Sequence, residues 1–296
     1  MNANGGSVLF ETFLDGNDLN MNGTMNVDGF ARTNARLVIG ATGQVDFVDA
    51  AANLRLAGGD LSSPNRMEGG EITGPGELSA IDARALHGYG TIGTAIDFDG
   101  STSELLADDG TLTINPSANL VDVGILGTAD ADGELEVLLN WDTSVTSQVR
   151  LAGGELSGGT IFNNGAGGIR GRGLVSAPVQ NNAVVAAQGG GTLVLDNVLN
   201  SNDWDGPANT GALRAFVGST LELHDNAPFL FNGVVSAAGG TVRSVGFEVE
   251  FEPGSALQLE NGVYSSTHAT DIGGNVAVTG GGASRIEVPG TVVFES

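Results

Sequence analysis

Cysteine and lysine are both missing from the 296 residues. Without cysteine there is no disulfide framework and no thiolate-ligated zinc or iron–sulfur site. Without lysine the 11 basic residues are all arginine; they face 35 acids, and the formal net charge is −24. A protein that grips a nucleic-acid backbone needs a basic surface, so that class is excluded. Aromatic residues are only 5% of the chain. No run approaches the roughly 18 consecutive apolar residues of a membrane span. The opening MNANGGSVLF lacks the basic stretch and apolar core of a secretory signal. Both ends read as cut from something longer, so the chain is expected to be a fragment of a larger exported protein.

What is abundant is glycine, at 48 residues, about one in six against a usual ~7%. It has no every-third-residue period, which excludes collagen. The apolar content of 41% is too high for a disordered acidic chain.

A short signature recurs: a glycine, one or two small or polar residues, then apolar–polar–apolar. It stands at Gly110–Ile114, Gly133–Val137, Gly191–Leu195, Gly218–Leu223 and Gly254–Leu259, and more loosely at Gly43–Phe47. Alternation with period two is the mark of a short strand with one buried face. The glycine supplies a turn that a side chain would resist. A longer repeat lies above it. The octapeptide Arg55–Ser62, RLAGGDLS, returns 95 positions on as RLAGGELS, Arg150–Ser157. Both copies are followed by glycine ladders, Gly69–Leu78 and Gly167–Val175, and a degenerate third copy is Val235–Ser244. These spacings divide the chain into about three modules, residues 35–125, 126–215 and 216–296, within a single continuous repeat structure over 1–296. No segment of a dozen residues carries helical apolar spacing free of glycine.

Two folds suit many short strands with glycine turns: a β-solenoid and a tandem β-sandwich. Few Asn-Gly or Asp-Gly pairs sit between two alternating runs, as hairpins require. Nested repeats favour stacking, so the expectation is an all-β parallel β-helix with Gly-rich turns, the tandem sandwich being the alternative. Coils of roughly 22–25 residues would give about a dozen, each ~4.8 Å above the last.

The GSTLEL and GG-x-LSG texture resembles the passenger regions of bacterial autotransporter and adhesin-like exported proteins. The resemblance covers most of the chain and implies a right-handed parallel β-helix. It also implies an exported, cell-surface or adhesive repeat protein. The C-terminal membrane barrel of that family has no counterpart here.

Chemical candidates are sparse. Paired acids stand at Asp97/Asp99, Asp108/Asp109, Asp130/Asp132 and Asp203/Asp205. With 35 acids, near-pairs arise by chance, and the simplest role is as solvated turn residues; no catalytic residue is assigned. Asp130-x-Asp132-Gly and Asp203-x-Asp205-Gly resemble the start of an oxygen-rich calcium loop, and these four acids are the metal candidates. No other cofactor is expected. Trp141 and Trp204 each adjoin acids, so each is either an exposed ring able to stack on a sugar or a lid over a turn with its N–H bonded. The three histidines are far apart in sequence and form no ligand pair.

The resulting expectation is a non-enzymatic extracellular stalk, adhesin or filament subunit, acting as a rigid acidic rod. Its partners would be neighbouring repeats or like chains stacked end to end, with a surface glycan as a further partner. Nucleic acid and membrane insertion of this segment are not expected. The alternative is a carbohydrate-active β-helix, lyase or hydrolase, or a glycan-binding module. That alternative requires one groove lined by acids, arginine and an aromatic ring.

Overall fold

The computed structural model describes residues 2–4, 8–10, 18–115, 119–196, 211–224, 229–279, 284–289 and 292–294. The fold is a β-solenoid of about 12 turns. Every recurring signature forms a strand with the expected alternation. In Gln44–Phe47 the residues Val45 and Phe47 are buried. In Glu134–Val137 they are Leu135 and Val137, and in Ser219–His224 they are Leu221 and Leu223.

Strands pair in parallel with strands one coil away. Phe30 lies opposite Asn53, and Asn53 opposite Glu77. The step from coil to coil varies, from 16 residues between Ile169 and Val185 to 28 between Leu193 and Leu221. A tandem β-sandwich would be built from antiparallel hairpins. Among the described residues the antiparallel contacts are two isolated bridges, Asp60–Arg84 and Phe216–Gly239, so the sandwich alternative is set aside.

The chain divides into two compact units. The first holds residues 1–139 and 145–148; the second holds 140–144 and 149–296. In the first, one apolar column climbs through Met25, Val45, Ile72, Ile92, Ile114 and Val137, all buried. A parallel column runs through Ala31, Leu54, Leu78, Ile96 and Leu120. In the second, Leu193, Leu221, Val242 and Tyr264 share a column. Beside it Phe231, Phe251 and Tyr264 meet edge to face, with ring centroids 5.7 and 5.5 Å apart. Burying each Leu, Ile or Val contributes about 1.5–3 kcal/mol, and stacking like on like lets every coil reuse the same geometry.

The glycine ladders differ from expectation. They lie within long bent strands as well as at turns. The first ladder sits inside Asn65–Ala80, a 16-residue strand, and most of the second inside Ile169–Val175. Gly171 of the second ladder, and Gly88 in the strand Ala85–Phe98 that pairs with the first, show the reason. Both have positive φ, +131° and +126°. A Cβ on either would stand 1.9 Å from a carbonyl oxygen of the coil below, that of Met67 or Leu151. Glycine there lets the strand turn a corner while neighbouring coils stay at ladder distance.

The two octapeptides also part company. In the first copy the strand Asn53–Leu56 ends, Gly59 turns with φ +65°, and the Asp60 carboxylate accepts from the Ser62 and Ser63 amides. In the second copy all eight residues lie in the strand Thr146–Gly158. There Glu155 reaches up a rung and accepts from Ser176 Oγ at 2.5 Å.

Candidate functional site

The outward face of the first unit carries a groove of about 290 Å³, lined by Phe30, Asn53, Arg55, Glu77, Ser79, Ala80, Asp97 and Asp99. Its residues come from four coils because alternate positions of each strand point outward. Phe30, Asn53 and Glu77 form one outward column. Arg32, Arg55, Ser79, Asp97 and Asp122 form the next. At ~4.8 Å per rung, the Phe30 and Asp97 rungs are roughly 14 Å apart.

Part of this wall is bonded internally. Asn53 Nδ2 donates to Glu77 Oε1 at 2.6 Å, and Ser79 Oγ donates to Asn53 Oδ1 at 2.9 Å. The amide thus fixes one oxygen of Glu77 and leaves the other open. Among the described residues the side chains of Arg55, Asp97 and Asp99 have no hydrogen-bond or ion-pair partner. Burial raises the Glu77 pKa, and Asp97 and Asp99 raise it further, while the Asn53 bond opposes them. Burial likewise raises Asp97, helped by Asp99 and Asp122. The groove is therefore an acidic surface short of cations, with an exposed phenyl ring at one end; Phe30 is 40% exposed.

A second acidic set lies elsewhere in the first unit. Carboxylate oxygens of Asp108, Asp109 and Asp130 lie within 4.8 Å of one another. Arg66 bonds both Asp108 and Asp109. Burial works against the Arg66 charge, but the two carboxylates outweigh it and raise its pKa. Of the sequence-derived calcium candidates, Asp130 belongs to this set. Asp132 is exposed and outside it. Asp130 Oδ1 accepts from the backbone N–H groups of Asp132 and Gly133 at 3.1 and 2.8 Å. That is the turn role expected of such acids ahead of a strand. Asp203, Trp204 and Asp205 lie outside the described residues.

Trp141 is buried, at 5% exposure. The glycan-contact reading of Trp141 needs an exposed ring face, and burial removes it; the aromatic ring in the groove is Phe30 instead. The lid reading also changes, because the Trp141 Nε1–H has no acceptor among the described residues. The histidines stay apart and each meets a different neighbour. His87 is 3.1 Å from Glu104, His224 lies between Glu222 and Asp196, and His268 contacts Thr267.

The second unit carries a polar column bonded from rung to rung. Thr143 Oγ1 donates to Asn163 Oδ1 at 3.1 Å, and Asn163 Nδ2 donates to Asn181 Oδ1 at 2.6 Å. Outside it, Asn182 donates to Asn164, and Asn164 to Asp142. Burial would raise the Asp142 pKa, yet bonds from Ser144 and Asn164 prevail and hold it low. The sequence signal for this ladder was the pair of Asn-Asn dipeptides, Asn163-Asn164 and Asn181-Asn182, one coil apart. Phe30 and Glu77 had no such signal, because nothing in a linear reading aligns residues 47 positions apart.

Comparison with protein-family models, curated proteins and solved structures gave no match. Among the described residues no helix is long and apolar enough to cross a membrane.

Proposed function

We propose that this chain is a non-enzymatic structural or adhesive repeat protein that works outside the cell, as a stalk, adhesin or filament subunit. The observation that carries this reading is the way each unit is filled. Its interior is filled largely by stacked apolar columns, and acids such as Glu71, Glu222 and Asp130 sit at outward strand positions or turns. Such a stack supplies rigidity and surface in place of a reaction centre. The net charge of −24, the lack of cysteine and the passenger-region resemblance support an exported setting, and no cofactor is required. The partners are other repeats or like chains that pair with exposed strand edges. Sedimentation velocity over a concentration series tests this. Reversible association that grows with concentration is the expected result. A monomer at every concentration, together with release of sugar fragments from a polysaccharide panel, would overturn it.

A second reading rests on the groove. Acids, an arginine, an amide, a hydroxyl and an exposed ring on one face form the lining that a glycan-binding module or carbohydrate-active β-helix needs. An adhesin that holds a glycan reconciles the two readings.

A further inference from the structure

We propose that the groove of the first unit binds an amino sugar through its protonated amine, and so prefers a free-amine oligosaccharide to its N-acetylated counterpart. This rests on the reading of the groove as a glycan site and specifies the ligand.

The charge balance carries the inference. Glu77, Asp97 and Asp99 line the groove against one lining cation, Arg55; one rung beyond, Asp122 follows Asp97 and Arg32 precedes Arg55, so acids outnumber arginines four to two. The side chains of Asp97 and Asp99 have no bonded partner, and Glu77 has only the neutral Asn53 amide. Clustering costs these carboxylates stability as they ionise, and a bound cation would offset that cost. A uronate or sulfated sugar would add negative charge and be repelled.

The spacing argues for an extended organic cation over a bare metal ion. A divalent ion needs several oxygens converging on one point. Among the described residues that arrangement occurs at Asp108, Asp109 and Asp130, and the groove acids do not form such a set. Instead the groove acids spread along the coil stack, with neutral Asn53 and Ser79 between them and Phe30. An ammonium group would lie between Glu77 and Asp97. Ring hydroxyls would exchange hydrogen bonds with Asn53, Ser79 and Arg55. The C–H face of a neighbouring ring would cover Phe30.

The test is a titration of the full chain with glucosamine oligomers and with N-acetylglucosamine oligomers of equal length. It is run at pH 6 and physiological salt, and followed by calorimetry and amide chemical shifts. The expected result is binding of the free-amine oligomer at least ten-fold tighter, with shifts confined to the strands of Phe30, Asn53, Glu77 and Asp97. Glu77→Gln with Asp97→Asn is expected to weaken it ten-fold or more, and Phe30→Ala several-fold. Glu77→Gln keeps the oxygen that Asn53 bonds, so folding is preserved, and unchanged thermal melting checks this. Equal or tighter binding of the acetylated oligomer would overturn the amine preference and leave the glycan site standing. Binding of neither would overturn both. Shifts scattered over the acidic surface and indifferent to these variants would show general charge attraction and overturn the proposal. Equal affinity for a simple polyamine, with no effect of Phe30→Ala, would also overturn it.

Discussion

Two arginines begin the same octapeptide, yet their columns differ. Arg55 in the first unit stands in a column that runs Arg32, Arg55, Ser79, Asp97, Asp122. Arg150 in the second stands in one that runs Arg150, Arg170, Ala186, Arg214, Ser236, Gln258. One column passes from basic to acidic, while the other contains no acid. A strand repeat specifies which residues point out. The coils above and below specify what those residues face. Local sequence therefore fixes a residue's orientation, and stacking fixes its chemistry.

The largest test of this comparison concerns what the two units share. Gly88→Ala and Gly171→Ala each place a methyl group against a carbonyl oxygen at a positive-φ corner. Each is expected to cost about 3 kcal/mol or more, measured by chemical denaturation. If either is tolerated, the corners bend by another means.

The next test separates the units. Asn163→Ala breaks a buried ladder, removing the acceptor of the Thr143 hydroxyl and the donor to Asn181 Oδ1. A loss of about 2 kcal/mol is expected. Asn53→Ala, on the groove wall, is expected to stay within about 0.5 kcal/mol. Equal losses would mean that the groove wall is as structural as the ladder.

Titration should show opposite signs. Glu77 and Asp97 are raised above their ordinary values of 4.5 and 3.8. Their contribution favours the fold below those values and is lost as pH rises through the raised folded ones. Asp142 is lowered from 3.8, so its contribution is present above that value and lost as pH falls through the depressed one. Melting curves of Glu77→Gln/Asp97→Asn should lose the weakening of the fold on the way to neutral pH. Those of Asp142→Asn should lose part of the acid sensitivity. These groups are partly solvated, so each effect is expected to be about 0.5 kcal/mol.

The smallest effect concerns the one residue that distinguishes the octapeptides. Asp60→Glu should loosen the turn at Ser62 and Ser63, and Glu155→Asp should fall short of Ser176. Each loss is expected to be smaller than those above, and exchange of the Ser63 amide proton would report the first directly.

Much of the fold could be read from the sequence because it is written in local periodicity. The alternation at Val45/Phe47 and Leu221/Leu223 forecast strands, and recurring glycine turns forecast stacking. That strands continue through Gly88 and Gly171 could not be read, since a glycine that turns a corner inside a ladder looks like one that ends it. Asp97 and Asp99 stood out as a pair, and a groove with acids, arginine and a ring was the stated requirement of the glycan reading. Phe30, Asn53 and Glu77 did not stand out. Their alignment depends on coil lengths of 23 and 24 residues that vary along the chain. Trp141 was misleading because its polar neighbours suggested exposure, whereas alternation turns its own side chain inward.

The most direct measurement is a carboxylate-detected NMR titration of Glu77, Asp97 and Asp99, with and without a glucosamine oligomer. In the free protein Glu77 and Asp97 should titrate above the usual carboxylate range, and the oligomer should bring both down as its ammonium group compensates them. Ordinary values in the free protein, or values that the oligomer leaves unmoved, would contradict a groove built around uncompensated negative charge.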